Sequence, residues 1–402
     1  MDDMMFQHRD NSGIGRWKVG LVGCFSKDRP NKPCPASPST QLDILLGSPL
    51  VCYGAPANST GALLSGRLRI AITESNRPVV LRKLSLSLVF ELTTKNPVSR
   101  RCRACATSTE ELNRWDFLTQ PQLEIESRDH HFNYLIPGHL PASCIGSLGQ
   151  VIYFLQACAE SITGEVFVLK VPVKVSRDRG LGIDKTSIRT FPPTSLTLQL
   201  VRPSVVDLVG KLPLKVLLSG VLNKSGNTLI RWRLMKLTWR IEEHQKMASR
   251  ACKMHICKTP NEGNCAIRQK TRVIGKNELI SGWKVNFDSA GGDIGIQLDA
   301  SINPTANALC DAEGYDGLGV KHDLVIELVT TEDFSINRKN KFVTQYCATH
   351  VLRSCFKLCI TERSGHRTSS HADMPPVYED VPARPPVYST GDGVTNESSC
   401  LL

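Results

Sequence analysis

An alternation of apolar and polar residues with a period of two constrains this chain more than any other feature. Leu84, Leu86, Leu88, Phe90 and Leu92 fall on one side of an extended segment, while Lys83, Ser85, Ser87 and Glu91 fall on the other. Successive side chains of a β-strand point to opposite faces, so such a segment buries one face and leaves the other in water. Leu68, Ile70 and Ile72 repeat the pattern, as do Phe167, Leu169, Val171, Val173 and Val175. That last run includes Pro172, which cannot donate to a sheet ladder and so predicts a sheet edge. The second half continues with Leu196, Leu198 and Leu200, with Ile294, Ile296 and Leu298, and with Leu324, Ile326 and Leu328. Leu352, Phe356, Leu358 and Ile360 close the series.

Within Arg231 to Ile241 the apolar phase switches from Trp232 and Leu234 to Leu237, Trp239 and Ile241. A strand accommodates that switch only with an extra residue, which predicts a bulge near Met235. One short helix is predicted over Thr109 to Leu118, because Ser108 and Glu111 have the spacing of a capping box. Strands at this spacing, with turn-rich gaps and almost no helix, predict an all-β fold of two antiparallel β-sandwiches. The break between them is expected at Arg179 to Pro193. The chain of 402 residues accommodates two cores. The expected organisation is a flexible arm over 1–40, a sandwich over 41–190, a second sandwich over 191–362 and a disordered tail over 363–402.

No apolar run approaches the roughly 18 residues of a spanning helix. The chain opens Met1, Asp2, Asp3 without a basic start or an apolar core, so no secretory signal is expected and the fifteen cysteines are expected as reduced thiols in a cytoplasmic protein. Charge is uneven: residues 361–402 hold three basic and six acidic side chains, which leaves 46 basic and 32 acidic residues, or +14, on the rest. The basic residues are scattered along strands with few aromatics between them, which argues against nucleic acid as a partner. Anionic lipids or acidic cytoplasmic tails suit them better.

The tail carries the most specific motif. Pro375, Pro376, Val377 and Tyr378 recur ten residues on as Pro385, Pro386, Val387 and Tyr388. Paired prolines hold the chain in the polyproline II conformation before a partner arrives, so an aromatic groove of the WW type closes over them at low entropic cost. Three residues make one turn of that helix, which puts Tyr378 on the side of Pro375 and Tyr388 on the side of Pro385. The candidate WW-binding residues are therefore Pro375, Pro376, Tyr378, Pro385, Pro386 and Tyr388.

Cys252, His255, Cys257 and Cys265 lie close in sequence and are candidate ligands of a structural metal, as are Cys102 and Cys105 with a distant pair. Their spacing matches no standard finger, and reduced thiols packed as small apolar residues are the blander reading, which is preferred here. Neither a metal nor any other cofactor is expected. Without a GxSxG, HExxH, Walker or Rossmann pattern, no catalytic residue is assigned and the chain is not expected to be an enzyme.

The run His131, Phe132, Asn133, Tyr134, Leu135, Ile136, Pro137, Gly138, His139, Leu140, Pro141, Ala142, Ser143 resembles the signature of an arrestin N-domain, in which a strand enters a Leu-Pro turn. Leu212 to Val216, Leu237 to Glu243 and Val320 to Leu324 are similar to strands of an arrestin C-domain. With the two tail motifs, the chain resembles the fungal α-arrestins, the arrestin-related trafficking adaptors. That resemblance implies an adaptor whose PPxY motifs recruit a HECT-type ubiquitin ligase with WW domains. It further implies that the body contacts the cytoplasmic tails of plasma-membrane transporters, promoting their ubiquitination, endocytosis and vacuolar sorting. The protein would then be cytoplasmic and recruited peripherally to plasma membrane, Golgi or endosomes. The alternative is an arrestin-fold sorting or signalling scaffold that binds another WW-domain protein without recruiting a ligase.

Overall fold

Among the described residues, the alternating apolar segments read from the sequence are strands. The computed structural model describes residues 40–72, 80–118, 128–180, 182–259, 265–288, 291–315, 317–338 and 341–362. The arm with its expected short strand around Trp17 to Cys24, and the tail with both PPVY motifs, lie outside the described residues.

The first half contributes β1 (Thr40–Leu46), β2 (Leu50–Tyr53), β3 (Ala62–Ile72), β4 (Leu81–Thr94) and β5 (Thr107–Asp116). It continues with β6 (Arg128–Ile136), β7 (Cys144–Ile145), β8 (Gly149–Ser161), β9 (Val166–Val173) and β10 (Val175–Asp178). One sheet runs β1-β3-β6; the other runs β5-β4-β8-β7, with β9 also on β8. The alternating leucines of β4 are the centre of the packing between them: Leu84, Leu86 and Leu88 are fully buried and Phe90 nearly so. Phe90 meets the ring of Tyr153 at 5.3 Å. The Tyr153 hydroxyl donates to the Pro141 carbonyl at 2.7 Å and so ties the Leu-Pro turn after β6 to the opposite sheet. Pro172 lies on β9, which among the described residues pairs only with β8.

The second half contributes β11 (Lys185–Thr190), β12 (Thr197–Arg202), β13 (Val206–Asp207), β14 (Lys211–Ser219), β15 (Leu222–Ser225) and β16 (Thr228–Arg250). Then come β17 (Cys265–Leu279), β18 (Lys284–Asn286), β19 (Asp293–Ser301), β20 (Ala312–Tyr315), β21 (Leu318–Arg338), β22 (Lys341–Leu358) and β23 (Ile360–Thr361). One sheet runs β11-β12-β14-β19-β18; facing it, β16 and β21 pair centrally, flanked by β15, β17, β20 and β22. Trp232, Leu234, Leu237, Trp239 and Ile241 are all buried in this second core. The register of β16 against β21 shifts between Leu234 and Lys236, so Met235 is the bulged residue, and its side chain is exposed. The bulge reconciles both apolar phases with one buried face.

Two expectations are corrected. The segment predicted as a helix over Thr109 to Leu118 is strand β5, paired antiparallel with β4 from Ser85↔Asp116 to Thr93↔Thr107. The edge of β4 satisfies its backbone groups along ten residues there, and Trp115 packs on Phe132 at 5.3 Å; both gains outweigh a local capping signal. Instead of capping a helix, Glu111 accepts two hydrogen bonds from Arg114, at 2.9 and 2.7 Å. The only α-helical turn among the described residues is α1 (Arg103–Ala106), just upstream. The segment Arg179 to Pro193, expected as a break, contains β11, which joins the second half as a largely exposed edge strand carrying Lys185 and Arg189. Charged side chains are common on such edges, and they leave little apolar alternation to read.

The described residues belong to one compact unit that contains two hydrophobic cores. Strands β16 and β21 are long enough to serve both: Met247 near the end of β16 pairs with Leu318 at the start of β21, and both pack in the first core. Gly149 makes room for them, since a Cβ there would lie 2.7 Å from the Met247 methyl and 2.6 Å from the Thr93 carbonyl oxygen. Met247→Ala is therefore expected to cost about 2–5 kcal/mol in chemical denaturation, the range for emptying a buried methionine site. A cost below about 1 kcal/mol would show that the anchor does not hold the halves together.

Candidate metal centre and buried polar junction

The motif strands of the second half meet each other. Leu237 to Glu243 lies in β16, Val320 to Leu324 lies in β21, and their register places Glu243 opposite His322. Both side chains are inaccessible to solvent. Arg272 of β17 donates to both carboxylate oxygens of Glu243, at 2.7 and 3.1 Å, and the Leu309 N–H donates at 2.9 Å. Gln245 adds a donor at 2.5 Å, and His322 Nε2 lies 3.6 Å from Glu243 Oε2. The other nitrogen of His322, Nδ1, is 2.5 Å from Asp311 Oδ1. Burial alone would raise the Glu243 carboxyl, but the His322, Arg272, Leu309 and Gln245 donors outweigh it and hold it down at about 2. Burial likewise favours a neutral His322, yet the Asp311 and Glu243 carboxylates raise its pKa above the ordinary value. Gln245 carries the network into the first half, where its Oε1 accepts from the Ser147 N–H at 3.0 Å and the Ser147 hydroxyl at 2.8 Å.

A second constellation sits at the far end of β16. After Arg250 the chain turns through Cys252, Lys253, Met254 and His255, closed by a 2.8 Å bond from the His255 N–H to the Cys252 carbonyl. Opposite it, α1 is a single turn in which the Cys105 and Ala106 N–H groups both donate to the Cys102 carbonyl, at 3.2 and 3.1 Å. Each turn brings its two ligand-type side chains to one side. Cys102 Sγ lies 3.7 Å from Cys252 Sγ, Cys105 Sγ 3.6 Å from His255 Nδ1, and Cys252 Sγ 3.1 Å from the same nitrogen. The four atoms all lie within 4.8 Å of one another. Around them the two halves are joined by hydrogen bonds from the Val98 N–H to Ser249 Oγ at 3.2 Å and from the Cys252 N–H to Cys105 Sγ at 3.4 Å. Backbone N–H groups, that of Cys105 foremost, lower the pKa of the Cys102 thiol, whereas burial raises that of Cys105.

Of the four clustered candidates read from the sequence, the structure brings together Cys252 and His255 and completes the group with Cys102 and Cys105. Cys257 is exposed on the 3-10 turn Ile256–Lys258, and Cys265 opens β17 opposite Arg250; neither belongs to the group. The available signal was the shared two-residue gap in Cys102-x-x-Cys105 and Cys252-x-x-His255, not proximity along the chain. The six tail positions Pro375, Pro376, Tyr378, Pro385, Pro386 and Tyr388 lie outside the described residues.

Residues 84–259 match the family described as LDB19: Arrestin_N terminal like, which makes this an arrestin-related protein. The matched segment opens in β4 and closes just after the second Cys/His turn, so it contains all four clustered side chains. Two uncharacterized proteins of Schizosaccharomyces pombe are each 30% identical, one over 353 residues, covering 87% of this chain and 89% of that protein. The other matches over 378 residues, covering 90% and 98%. The chain belongs to one family with these two proteins. Protein LDB19 of Eremothecium gossypii is 36% identical over 222 residues, which is 52% of this chain and 32% of that protein. Squid arrestin aligns with a TM-score of 0.40 at 10% identity, over 81% of this chain and 96% of that one. No helix among the described residues is long and apolar enough to cross a membrane.

Proposed function

We propose that the protein is an adaptor that recruits a WW-domain HECT-type ubiquitin ligase to plasma-membrane transporters, promoting their ubiquitination, endocytosis and vacuolar sorting. The observation that carries this reading is the duplicated Pro-Pro-Val-Tyr at residues 375–378 and 385–388, attached to a body of the arrestin-related family. A polyproline II segment with a tyrosine one turn on is the chemistry a WW groove selects. An adaptor needs no reaction chemistry of its own for this task, since it acts by raising the local concentration of enzyme around its cargo. Its positive charge suits the acidic cytoplasmic tails of transporters and anionic lipid headgroups, which supports peripheral recruitment to the cytoplasmic face of plasma membrane, Golgi or endosomes.

The test compares wild type with Tyr378→Ala plus Tyr388→Ala in cells, reading ligase capture and ubiquitination of plasma-membrane transporters. Both are expected to fall to background in the double variant. Ligase-independent scaffolding is the reading left standing if WW-domain capture is lost while transporter ubiquitination persists undiminished.

A further inference from the structure

We propose that Cys102, Cys105, Cys252 and His255 bind one zinc ion tetrahedrally and thereby staple the β4–β5 connection of the first sandwich to the end of β16 in the second. With Zn–S near 2.3 Å and Zn–N near 2.1 Å, a tetrahedron places two sulfurs about 3.8 Å apart and a sulfur and a nitrogen about 3.6 Å apart. The Cys102–Cys252 sulfurs at 3.7 Å and the Cys105–His255 pair at 3.6 Å have those separations, and the Cys252–His255 pair at 3.1 Å would open by about 0.5 Å to admit the metal. The 3.7 Å gap is far longer than the roughly 2.05 Å of a disulfide, and three thiols around an imidazole nitrogen form a donor set too soft for magnesium or calcium.

The local backbone is also built for such a centre. Two tight turns, each with its ligands three residues apart, approach from opposite halves, and the Cys252 N–H points at Cys105 Sγ, where it would support a thiolate. Binding converts three thiols and a neutral imidazole into three thiolates and a coordinated imidazole, releasing three protons to solvent. The resulting centre carries a net charge of minus one. Arg100, Arg101, Arg103, Arg250 and Lys253 flank the ligands in sequence and offset it, which gives that basic group a structural reason to be there. Because the two turns are about 150 residues apart in sequence, the metal closes a long loop and fixes the halves against each other. This inference stands independently of the adaptor reading, since it concerns the body and not the tail.

The test uses the full chain purified under reducing conditions. Elemental analysis is expected to find about one zinc per chain. Cobalt exchanged into the wild-type protein is expected to show thiolate-to-metal charge transfer and the intense ligand-field bands of tetrahedral coordination. Cys105→Ser and His255→Ala should each lose the metal, whereas Cys257→Ser and Cys265→Ser should keep it. Removing zinc from the wild type with a strong chelator should lower the melting temperature by about 10 °C, reversed on adding zinc. Metal-free protein that takes up no added zinc would overturn the proposal. So would a Cys102–Cys252 disulfide found by mass under the same conditions, or zinc that persists in Cys105→Ser and His255→Ala. The cobalt spectrum of the wild type decides the matter even if those variants fail to fold, because octahedral or thiolate-free bands place the metal elsewhere.

Discussion

Glu243→Ala is expected to destabilise the protein by about 3–5 kcal/mol and to lower its melting temperature by roughly 10 °C. The magnitude follows from what the substitution leaves behind. Glu243 has no solvent exposure, and its carboxylate answers Arg272, the Leu309 N–H and Gln245, with His322 at 3.6 Å. Removing it leaves the buried Leu309 N–H and the Gln245 amide without their acceptor and takes one of two carboxylates from the buried His322, while Arg272 keeps only the Ala306 and Asn307 carbonyls. The cost therefore comes from orphaned partners and not from the intrinsic worth of the ion pair. Replacing the whole group with uncharged residues, as in Glu243→Leu with Arg272→Met, His322→Phe and Asp311→Asn, should recover much of the loss, because no unpaired charge is then left buried. Equal destabilisation in the single and quadruple variants would show that the loss is one of packing.

The same junction sets a pH dependence whose sign can be worked out. The Glu243 carboxyl is held at about 2 against an ordinary 4.5, so its contribution is fully present above 4.5 and drains away as pH falls toward 2. The His322 imidazolium is stabilised above its ordinary 6.5, so its contribution is full below 6.5 and is lost as pH rises through the raised value. The junction thus stabilises most between about 4.5 and 6.5. In urea unfolding across pH, the difference between wild type and His322→Gln should shrink steadily on the alkaline side of that window.

The reason most of the fold was legible is that burial of one face leaves a record at every second residue. Leu84 through Leu92 reads as a strand because one face of β4 packs into the first core against the facing sheet, and the phase switch at Met235 is the written trace of a bulge. Where tertiary pairing supplied the stabilisation, local signals misled. Thr109 to Leu118 carries a capping pattern, yet it is a strand because the β4 edge and the Trp115 contact with Phe132 lie more than a dozen residues away in sequence. The Cys/His group shows the same limit for the site. Each pair is visible alone, but only the fold brings Cys102 and Cys105 to Cys252 and His255. The Glu243–His322 contact was half legible: both residues lie in the strands singled out by resemblance, but nothing along the chain states that those strands are neighbours in register.

The tail provides the other large effect. The repeat distance is ten residues, which in an extended polyproline-like chain spans about 30 Å, enough to reach two adjacent WW domains of one ligase. Once the first motif is bound, the second meets its site at an effective concentration set by that short tether, so paired binding exceeds either single affinity by about a hundredfold or more. Tyr388→Ala alone is therefore expected to weaken binding to a tandem-WW fragment about a hundredfold, while binding to one isolated WW domain changes only about twofold through the loss of one of two equivalent sites. Titration calorimetry with both fragments makes the comparison. If the single variant loses only about twofold against the tandem fragment as well, the two motifs act independently, and the repeat then serves redundancy or two separate partners. A large loss against the isolated domain would instead show that Tyr388 alone carries the recognition and that Tyr378 sits in a silent copy.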